Sequence, residues 1–510
     1  MFHDMSFGFL VACSTLAGIS YLFIRTFYRL FVHPLSKYPG PLAAKLSGLF
    51  GVFYAYKTNL HVRTLEDHDK YGSVVRHGPN KLVFNTVEAL RDIYKNDQVT
   101  KSQSYLASQR KPGVFNLFNA VDPQLHHQKR KLAGRFLNRR SIDVFEPVMI
   151  QQIDTFIDQL AAHSASPEKE PVNMTPQTKY LAIDIMGQLL FEYPLNLQTE
   201  STHRHMSYSR ASFAFNVAFQ IHSIAKLGIS NIQSAWSIFS RKNYVHTLAK
   251  IIRSRLAQGK HIKEDLRFLS ANMTTPEDDQ EWINDAQTEA LWHMLAGSDT
   301  TSTLLSALTF YLSRNPRCYE RLSQEIRSTF SQDSEIRSGP LLASCVYLRA
   351  CLEETLRITP PLPGTLWREE SPRPSTEPLI VDGHVIPAGV EVGVNTYAIM
   401  HNDKYFREPF VFKPERWLEG AEPGECNREA FAPFSLGIRG CLGKSMAYLE
   451  ASLTTAKMLW HFDFKEAPRT PGTAMKVDGH PGGRPGVFHV ADSFAALHDG
   501  PYLHFSRVAL

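Results

Sequence analysis

A single cysteine, Cys441, lies in the glycine-rich stretch Phe434–Gly443, two residues after Arg439. A cysteine in a loop binds a metal well when its neighbours lack bulk, and Gly437 and Gly443 meet that need. The arginine is suited to a carboxylate of a large anionic cofactor. An apolar run follows the loop, so we expect a helix whose positive N-terminal end favours the thiolate. The stretch predicts a metal-bound cysteine, and the alternative is a buried structural cysteine in a tight turn.

A second pattern, AGSDTT at residues 296–301, lies in the long apolar segment Ala286–Arg314, which should be one helix ending before Pro316. A glycine inside a helix costs about 1 kcal/mol relative to alanine, so something should offset Gly297. The spacing places His293, Gly297 and the threonines 300 and 301 on one face. We therefore expect Gly297 to open room for a small ligand beside a threonine hydroxyl. The alternative is a notch for helix packing with two solvent-facing threonines.

Both stretches resemble segments of the cytochrome P450 family. All fixed residues of its haem-binding loop are present here: Phe434, Gly437, Arg439, Cys441 and Gly443. The resemblance implies that Cys441 is the axial ligand of the haem iron. It also implies that Asp299 and Thr300 are the acid–alcohol pair of the oxygen-activation helix. It covers about residues 34–507 and holds at four motifs in the expected order.

Glu354 and Arg357 stand three residues apart on a predicted helix over 348–358. By spacing alone they would be a surface pair worth a few tenths of a kcal/mol. The resemblance implies instead a buried pair, joined by Arg416 of the later Pro-Glu-Arg segment. Such a group is strongly destabilising to break, so its expected role is structural, holding the cysteine loop.

Residues 126–140 form a basic run, which by itself indicates nucleic-acid binding or a solvated helix face. The resemblance assigns His126 and Arg130, which share one helix face, to the haem propionates, and Arg368 to the same role. Many family members carry tryptophan where this chain has His126. The remaining cations predict either a docking face for an acidic electron donor or a plain solvated face: Lys129, Lys131, Arg135 and Arg139.

The substrate pocket is expected from the regions that cap and roof the active site in the family. The candidates are mostly aromatic or aliphatic, which favours an apolar small molecule as substrate. Ordinary apolar packing is the alternative for each of them. They are Phe115, Phe118, Phe215, His293, Gly297, Leu362 and Leu366.

Residues 5–24 carry no charge and are long enough to span a bilayer as a helix. Arg25 and Arg29 follow at once, so positive charge should keep the bulk of the chain cytosolic. We expect a single-pass anchor in the endoplasmic reticulum membrane, a proline-rich hinge over 25–42 and a catalytic domain over 43–510. The alternative is a cleaved signal peptide, against which the long apolar run and the lack of a basic start argue.

The 510 residues would allow about three domains by length, but the resemblance indicates one mainly helical domain with a small β region, the cytochrome P450 fold. The net charge of +5 is too small to predict nucleic-acid binding. Six cysteines without CxxC spacing argue against zinc and a disulfide framework, and fit a reducing compartment.

The resemblance implies a haem b monooxygenase that uses O₂ and electrons from NADPH, delivered by cytochrome P450 reductase. The implied reaction hydroxylates, epoxidises or desaturates an apolar molecule. The fungal-type entry segment favours secondary metabolism over sterol synthesis, by analogy. Two alternatives remain open: a P450-fold isomerase or dehydratase that needs no O₂ or reductase, and a haem-binding sensor or structural membrane protein.

Overall fold

The structure is a computed structural model that describes residues 2–109, 113–165, 170–207, 211–220, 244–255, 257, 280–372, 377–468 and 484–508. Helices dominate these residues, as predicted. In chain order they are α1 Phe2–Phe27, α2 Leu42–Leu46, α3 Leu49–Tyr56, α4 Leu60–Tyr71, α5 Val87–Tyr94, α6 Pro123–Ala133, α7 Arg139–Ala165, α8 Met174–Phe191, α9 Ala211–Phe219, α10 at 244–255, α11 Gln280–Arg314, α12 Pro316–Thr329, α13 Pro340–Ser344, α14 Val346–Ile358, α15 Thr396–Met400 and α16 Lys444–His461.

The strands are short. They are β1 Val74–Gly78, β2 Lys81–Phe84, β3 Val99–Lys101, β4 Val172–Asn173, β5 Arg368–Glu370, β6 Ile380–Val381, β7 His384–Val385, β8 Glu391–Val394, β9 Phe462–Glu466, β10 Ala491–Ser493, β11 Ala495–Leu497 and β12 Tyr502–Arg507. The largest sheet has the order β1-β2-β8-β5-β3, and a second joins β4, β12 and β9. Two hairpins, β6-β7 and β10-β11, complete the small β region.

The long helix α11 runs through the larger hydrophobic core and packs along α8, with α14 and α16 also in contact. It ends at Arg314 because Asn315 leaves the helical conformation and Pro316 starts α12 at its first position. The helix α6 begins in a similarly local way, since the Asp122 carboxylate accepts the Leu125 N–H at 2.7 Å. These starts and stops were predictable from the residues themselves.

The five-stranded sheet brings distant charged residues together. β3 pairs antiparallel with β5, and the register places Lys101 directly opposite Arg368. Like charges at opposed positions destabilise a sheet unless a counter-charge is near. This pairing therefore marks one edge of the sheet as a place for an anion.

Near the N-terminus, one helix, Gly8–Val32, is long and apolar enough to cross a membrane, with a mean hydropathy of 1.5 and no burial against the rest of the chain. A signal sequence has the same properties. The segment that follows packs on the rest of the chain: Leu35 and Tyr38 are buried, and the Arg76 guanidinium donates to the Arg29 carbonyl at 2.8 Å. The proline-rich segment is thus held against β1 and the packing of the domain begins before residue 43.

Candidate active site

The cysteine loop is held from two sides. The Cys441 N–H donates to the Phe434 carbonyl at 2.8 Å, which closes the turn. Gly437 has a φ of +69°, and a Cβ there would lie 2.1 Å from the Tyr94 carbonyl oxygen at the end of α5. The Phe434 ring packs 5.2 Å from that of Tyr448 on α16. Position 437 therefore requires glycine because α5 leaves no room for a side chain. Gly443 is the glycine beside the sulfur, since a Cβ there would lie 4.0 Å from Cys441 Sγ.

The Cys441 thiol is surrounded by protein on most sides, yet the side chain keeps an exposed surface, so protein atoms do not cover the sulfur completely. Burial raises the pKa of the thiol, while the Gly443 N–H and the charges of Arg130 and Lys444 lower it. The net effect raises the pKa of the thiol. We expected the start of α16 to favour the thiolate, but by itself it does not produce one. A bound metal cation would shift this balance, because it stabilises the deprotonated sulfur directly.

A cluster of four cations and one histidine lies beside the cysteine loop, which one of the cations, Arg130, contacts through the Gly440 carbonyl. Burial and the charges of Lys101, Arg439, Arg130 and Arg368 lower the pKa of His126 to about 2, so its ring is neutral. Burial and the three arginines also lower the pKa of Lys101 well below its ordinary value. Burial is the larger cause of both shifts, and the contribution of the neighbouring cations places these charges near one another. We call Lys101, His126, Arg130, Arg368 and Arg439 the cation cluster.

Among the described residues, no carboxylate forms an ion pair with the four cations of this cluster, which instead donate to neutral oxygens. Arg439 donates to Thr100 Oγ1 at 2.8 Å and to the Ala120 carbonyl at 2.9 Å. Lys101 donates to the carbonyls of Phe118 at 2.6 Å and Leu117 at 2.9 Å. Arg368 donates to the Tyr105 hydroxyl at 2.9 Å, and Arg130 donates to the Gly440 carbonyl at 2.8 Å. The Arg130 contact also ties α6 to the cysteine loop. The charges of Glu289 and Asp122 act on Lys101 and Arg439 without forming an ion pair. Buried cations that lack an ion-paired carboxylate favour an anionic ligand.

Glu354, Arg357 and Arg416 form a buried charged triad, as the family resemblance implied, and not the surface pair that spacing alone indicated. The Arg357 guanidinium binds both Glu354 oxygens, at 2.8 and 2.9 Å, and Arg416 Nε reaches the same carboxylate at 3.2 Å. Trp417 Nε1 and the Lys413 N–H complete the shell at 2.9 and 3.0 Å. Burial would raise the pKa of Glu354, but the two guanidinium groups more than offset it and the pKa is lowered.

The structure corrects the predicted face of α11. A Cβ on Gly297 would lie 2.4 Å from the Met186 sulfur of α8, so this glycine is a helix-packing notch and opens no room for a ligand. His293 is also buried: its Nδ1 lies 2.8 Å from the Glu289 carbonyl oxygen, and its ring packs against Phe136. The alternative reading of Gly297 as a packing residue is the right one.

The open side of α11 is formed by Ala296 and Thr300, one turn apart. The Thr300 hydroxyl donates to the Ala296 carbonyl at 2.6 Å and borders unfilled space. Asp299 points elsewhere: it is buried, and Lys179 of α8 lies 2.8 Å from its Oδ1. The acid and the alcohol are adjacent in the chain but lie on different sides of the helix.

An aromatic cluster lies between the sheet and α11. Phe118 stacks on Trp292 with ring centroids 3.7 Å apart, and Phe215 and Phe494 contact each other at 4.8 Å. Leu362 and Leu366, partly buried, pack against the same cluster. The structure thus groups four of the predicted pocket residues, and Phe115 is half-buried in the loop before Phe118. Trp292 and Phe494 were not predicted, although Trp292 stands one helical turn before Ala296.

One expectation for the basic run was wrong. Lys129 is 5% exposed and lies 2.8 Å from Glu289 and 3.3 Å from Asp285, both on α11. It therefore belongs to no docking face. Lys131, Arg135 and Arg139 are exposed, as such a face would require.

The family model for cytochrome P450 matches residues 39–477 of the chain. The chain belongs to the cytochrome P450 family. It is 32% identical over 496 residues to the cytochrome P450 monooxygenase poxM of Penicillium oxalicum, which covers 96% of this chain and 93% of the relative. It is 33% identical to AKT7 of Alternaria alternata, and the match covers 98% of both chains. It is 34% identical to apf7 of Gibberella fujikuroi, and that match covers 94% of this chain and 95% of the relative. These relatives are also named cytochrome P450 monooxygenases.

Membership makes this P450 an oxygen-incorporating oxidoreductase with a haem cofactor, and the described residues fit a haem. Protein atoms do not cover the Cys441 thiol completely, and the cation cluster offers buried charges that match two propionate carboxylates. Lys101 is the member of this cluster that the sequence did not reveal. Its place depends on its pairing with Arg368 across β3 and β5, and no local pattern signals that register.

Proposed function

We propose that this P450 is a haem-thiolate monooxygenase that oxidises a largely apolar small molecule in fungal secondary metabolism. Its electrons would come from NADPH through a membrane-bound reductase. The observation that carries the proposal is the combination of an unshielded Cys441 with a buried cation cluster that lacks carboxylates. The names of the fungal relatives support the monooxygenase class, and the secondary-metabolite role rests on analogy with the entry segment.

Cys441 would be the axial ligand, and Arg130, Arg368 and Arg439, with Lys101, would hold the propionates by charge-assisted hydrogen bonds. His126 is neutral, so it would contact a propionate through a ring nitrogen and not through a positive charge. The haem, when bound, supplies the activation of O₂ that the side chains cannot perform. The protein would position the substrate, exclude water from the pocket and deliver protons.

Thr300 is the residue best placed to deliver a proton, because its hydroxyl borders the open space on α11. In this structure that hydroxyl donates to Ala296, so it would have to turn to bind an oxygen ligand. Asp299, paired with Lys179, would feed protons from the other side of the helix after leaving that ion pair. The aromatic cluster would exclude water and bind the apolar body of the substrate.

The proposed electron donor would approach the face that carries Lys131, Arg135 and Arg139. All three are exposed, and their positive charge would steer an acidic partner. The exposed apolar helix would keep the P450 on the same membrane as the reductase.

Dependence on NADPH, reductase and O₂ tests the proposal. Microsomes containing the P450 and a fungal reductase would be incubated with candidate metabolites, with each component omitted in turn. Oxygenated product that requires all three supports the monooxygenase. Turnover without NADPH or reductase would instead indicate the isomerase or dehydratase, and haem binding without turnover would indicate the sensor.

Replacing Thr300 with valine, which has nearly the same shape but no hydroxyl, should leave folding and haem content close to wild type. Without the hydroxyl, protons reach oxygen less selectively, so NADPH is still consumed but several-fold more of it ends as peroxide or water. The measurement is the ratio of product to NADPH. Thr301→Val is the matched control, because Thr301 is buried and should leave the ratio unchanged. Equal ratios in Thr300→Val and wild type would reduce Thr300 to a packing residue.

We also expect the N-terminal helix to anchor the protein with its catalytic domain in the cytosol. Protease added to intact microsomes should then digest the catalytic domain, and detergent should make little difference. The basis is the exposed apolar span followed by Arg25 and Arg29. Full protection until detergent is added would reverse the inferred topology, and a soluble secreted product would indicate a signal sequence.

A further inference from the structure

A small cavity lies beside the aromatic cluster. Its wall contains Phe494 of that cluster, and Phe219 and Trp367, two buried aromatic residues that pack with the cluster. Its remaining wall includes polar side chains from two distant parts of the fold: Asn216 and Gln220 at the end of α9, and Asp492 on β10. The cavity admits a group about as large as a water molecule. It is therefore a polar recess that adjoins the proposed substrate pocket.

Asp492 is 1% exposed, and only one of its carboxylate oxygens is satisfied. Oδ1 accepts hydrogen bonds from Asn216 Nδ2 at 3.1 Å and from the Phe494 N–H at 3.3 Å. Oδ2 accepts no hydrogen bond of ordinary geometry among the described residues. His61 approaches the carboxylate from the start of α4, but its Nδ1 is 3.7 Å from Oδ2, and its backbone N–H lowers the pKa of the carboxyl without satisfying that oxygen. A buried carboxylate oxygen without a donor is costly, so it favours a ligand that brings one.

Within the part of the chain that the structure describes, no lysine or arginine forms an ion pair with this carboxylate. Burial raises the pKa of Asp492 to about 6, although the N–H groups of Phe494 and His61 and the Asn216 amide act against it. Burial lowers the pKa values of His61 and His77 to about 3, so both rings are neutral near pH 7. Asp492 is then mainly ionised and acts purely as an acceptor.

A purely structural role would leave both oxygens satisfied, as Asp184 shows. Asp184 is similarly buried, and burial raises its pKa to about 6 as well. Its Oδ1 accepts the Leu197 N–H at 2.8 Å, and its Oδ2 accepts the Gln198 N–H at 3.0 Å. Asp492 uses Oδ1 to hold the β10–β11 turn and α9, and its second oxygen is left for another donor.

We propose that Asp492 accepts a hydrogen bond from a hydroxyl group of the substrate, which is therefore an apolar molecule that carries a hydroxyl beyond Phe494. Asn216 positions the carboxylate, and the size of the recess limits the group to one as small as a hydroxyl. The inference rests on the proposed monooxygenase function and narrows its substrate class. It also revises the expectation of a pocket with only apolar recognition.

The test uses the haem-loaded enzyme and two probes, decanol and decyl methyl ether, which differ in the ability to donate a hydrogen bond. Binding is measured by the shift of the Soret absorbance. We expect wild type to bind decanol about tenfold more tightly than the ether. Asp492→Leu should bring the ratio close to one, and Asp492→Asn should keep part of the preference because an amide oxygen still accepts.

Two further variants separate recognition from folding. A Cβ on Gly364 would lie 3.8 Å from both Asp492 oxygens, so Gly364→Ala should fill the recess and reduce the preference without removing any hydrogen bond of Asp492. Asp184→Asn should lower stability but leave the ratio as in wild type. The inference is overturned if wild type binds both probes equally, or if the preference survives in Asp492→Leu or, should that variant not load haem, in Gly364→Ala. Failure of the proposed function would appear separately, as absence of NADPH- and reductase-dependent product.

Discussion

Replacing Cys441 with alanine should abolish the red-shifted Soret band of the reduced carbon monoxide complex and all monooxygenase activity. The reason is that protein atoms do not cover the sulfur completely, and that alanine would lose only the weak contact of the thiol with the Gly443 N–H. The protein part should therefore fold, but it would offer the iron no thiolate. The measurements are the reduced carbon monoxide difference spectrum and the ratio of haem to protein.

Cys426→Ala is the matched control for this experiment. Cys426 is a half-buried thiol whose pKa burial raises to about 11, so it resembles Cys441 as a free cysteine but lies outside the cysteine loop. This variant should keep the spectrum of wild type. A Cys441→Ala protein that retained the red-shifted band would show that the axial ligand is another residue.

Replacing Arg357 with alanine should yield little haem-loaded protein. The change leaves the fully buried Glu354 carboxylate without its bidentate partner, which costs about 3–5 kcal/mol. The Arg357 guanidinium also binds the carbonyls of Met400 and Pro409, so the segment that leads toward the cysteine loop would lose two anchors. Haem content per protein and the thermal midpoint of the holoenzyme measure the effect.

The chain contains a matched control in Glu88 and Arg91, which have the same i, i+3 spacing on α5 but are about half exposed. Arg91→Ala should change stability by less than about 1 kcal/mol, since exposed pairs contribute little. Arg357→Lys should rescue only partly, because an ammonium cannot bind both carboxylate oxygens as a planar guanidinium does. Normal haem content in Arg357→Ala with slow turnover would point to a catalytic role instead.

The same variant should shift the acid sensitivity of the enzyme. In wild type the pKa of Glu354 is lowered, so its contribution to stability is present above the ordinary carboxylate range and is lost only as pH falls through the lowered value. Without Arg357, burial raises the pKa of the remaining carboxyl. Acidification should therefore release haem at a higher pH in Arg357→Ala than in wild type.

The sequence by itself determined the features that depend on local spacing. The five fixed residues around Cys441 were enough to carry the family resemblance, and that resemblance implied the triad of Glu354, Arg357 and Arg416 that the structure assembles. Helix ends were predictable for the same reason, since Asn315-Pro316 stops α11 whatever packs around it. Such patterns are set by covalent geometry and by neighbours within a few residues.

Only the tertiary structure decided which way the side chains of α11 and α6 face. Spacing placed Gly297 near Thr300, but α8 covers the Gly297 side and leaves Ala296 and Thr300 open. The basic run predicted Lys129 to be a surface cation, but in the structure its ammonium lies 2.8 Å from the Glu289 carboxylate of α11. A helix repeats every 3.6 residues regardless of context, and what covers each face depends on partners far away in the chain.

The least predictable residues are those that long-range pairing brings to the site. Lys101 joins the cation cluster because β3 pairs with β5 across more than two hundred residues of chain, which sets it against Arg368. Asp492 becomes a buried acceptor because a hairpin near the C-terminus meets the end of α9 at Asn216. In both cases the charged residue is visible in the sequence. Its burial away from an ion-pairing partner arises only when distant segments pack, and this burial makes each charge a binding group.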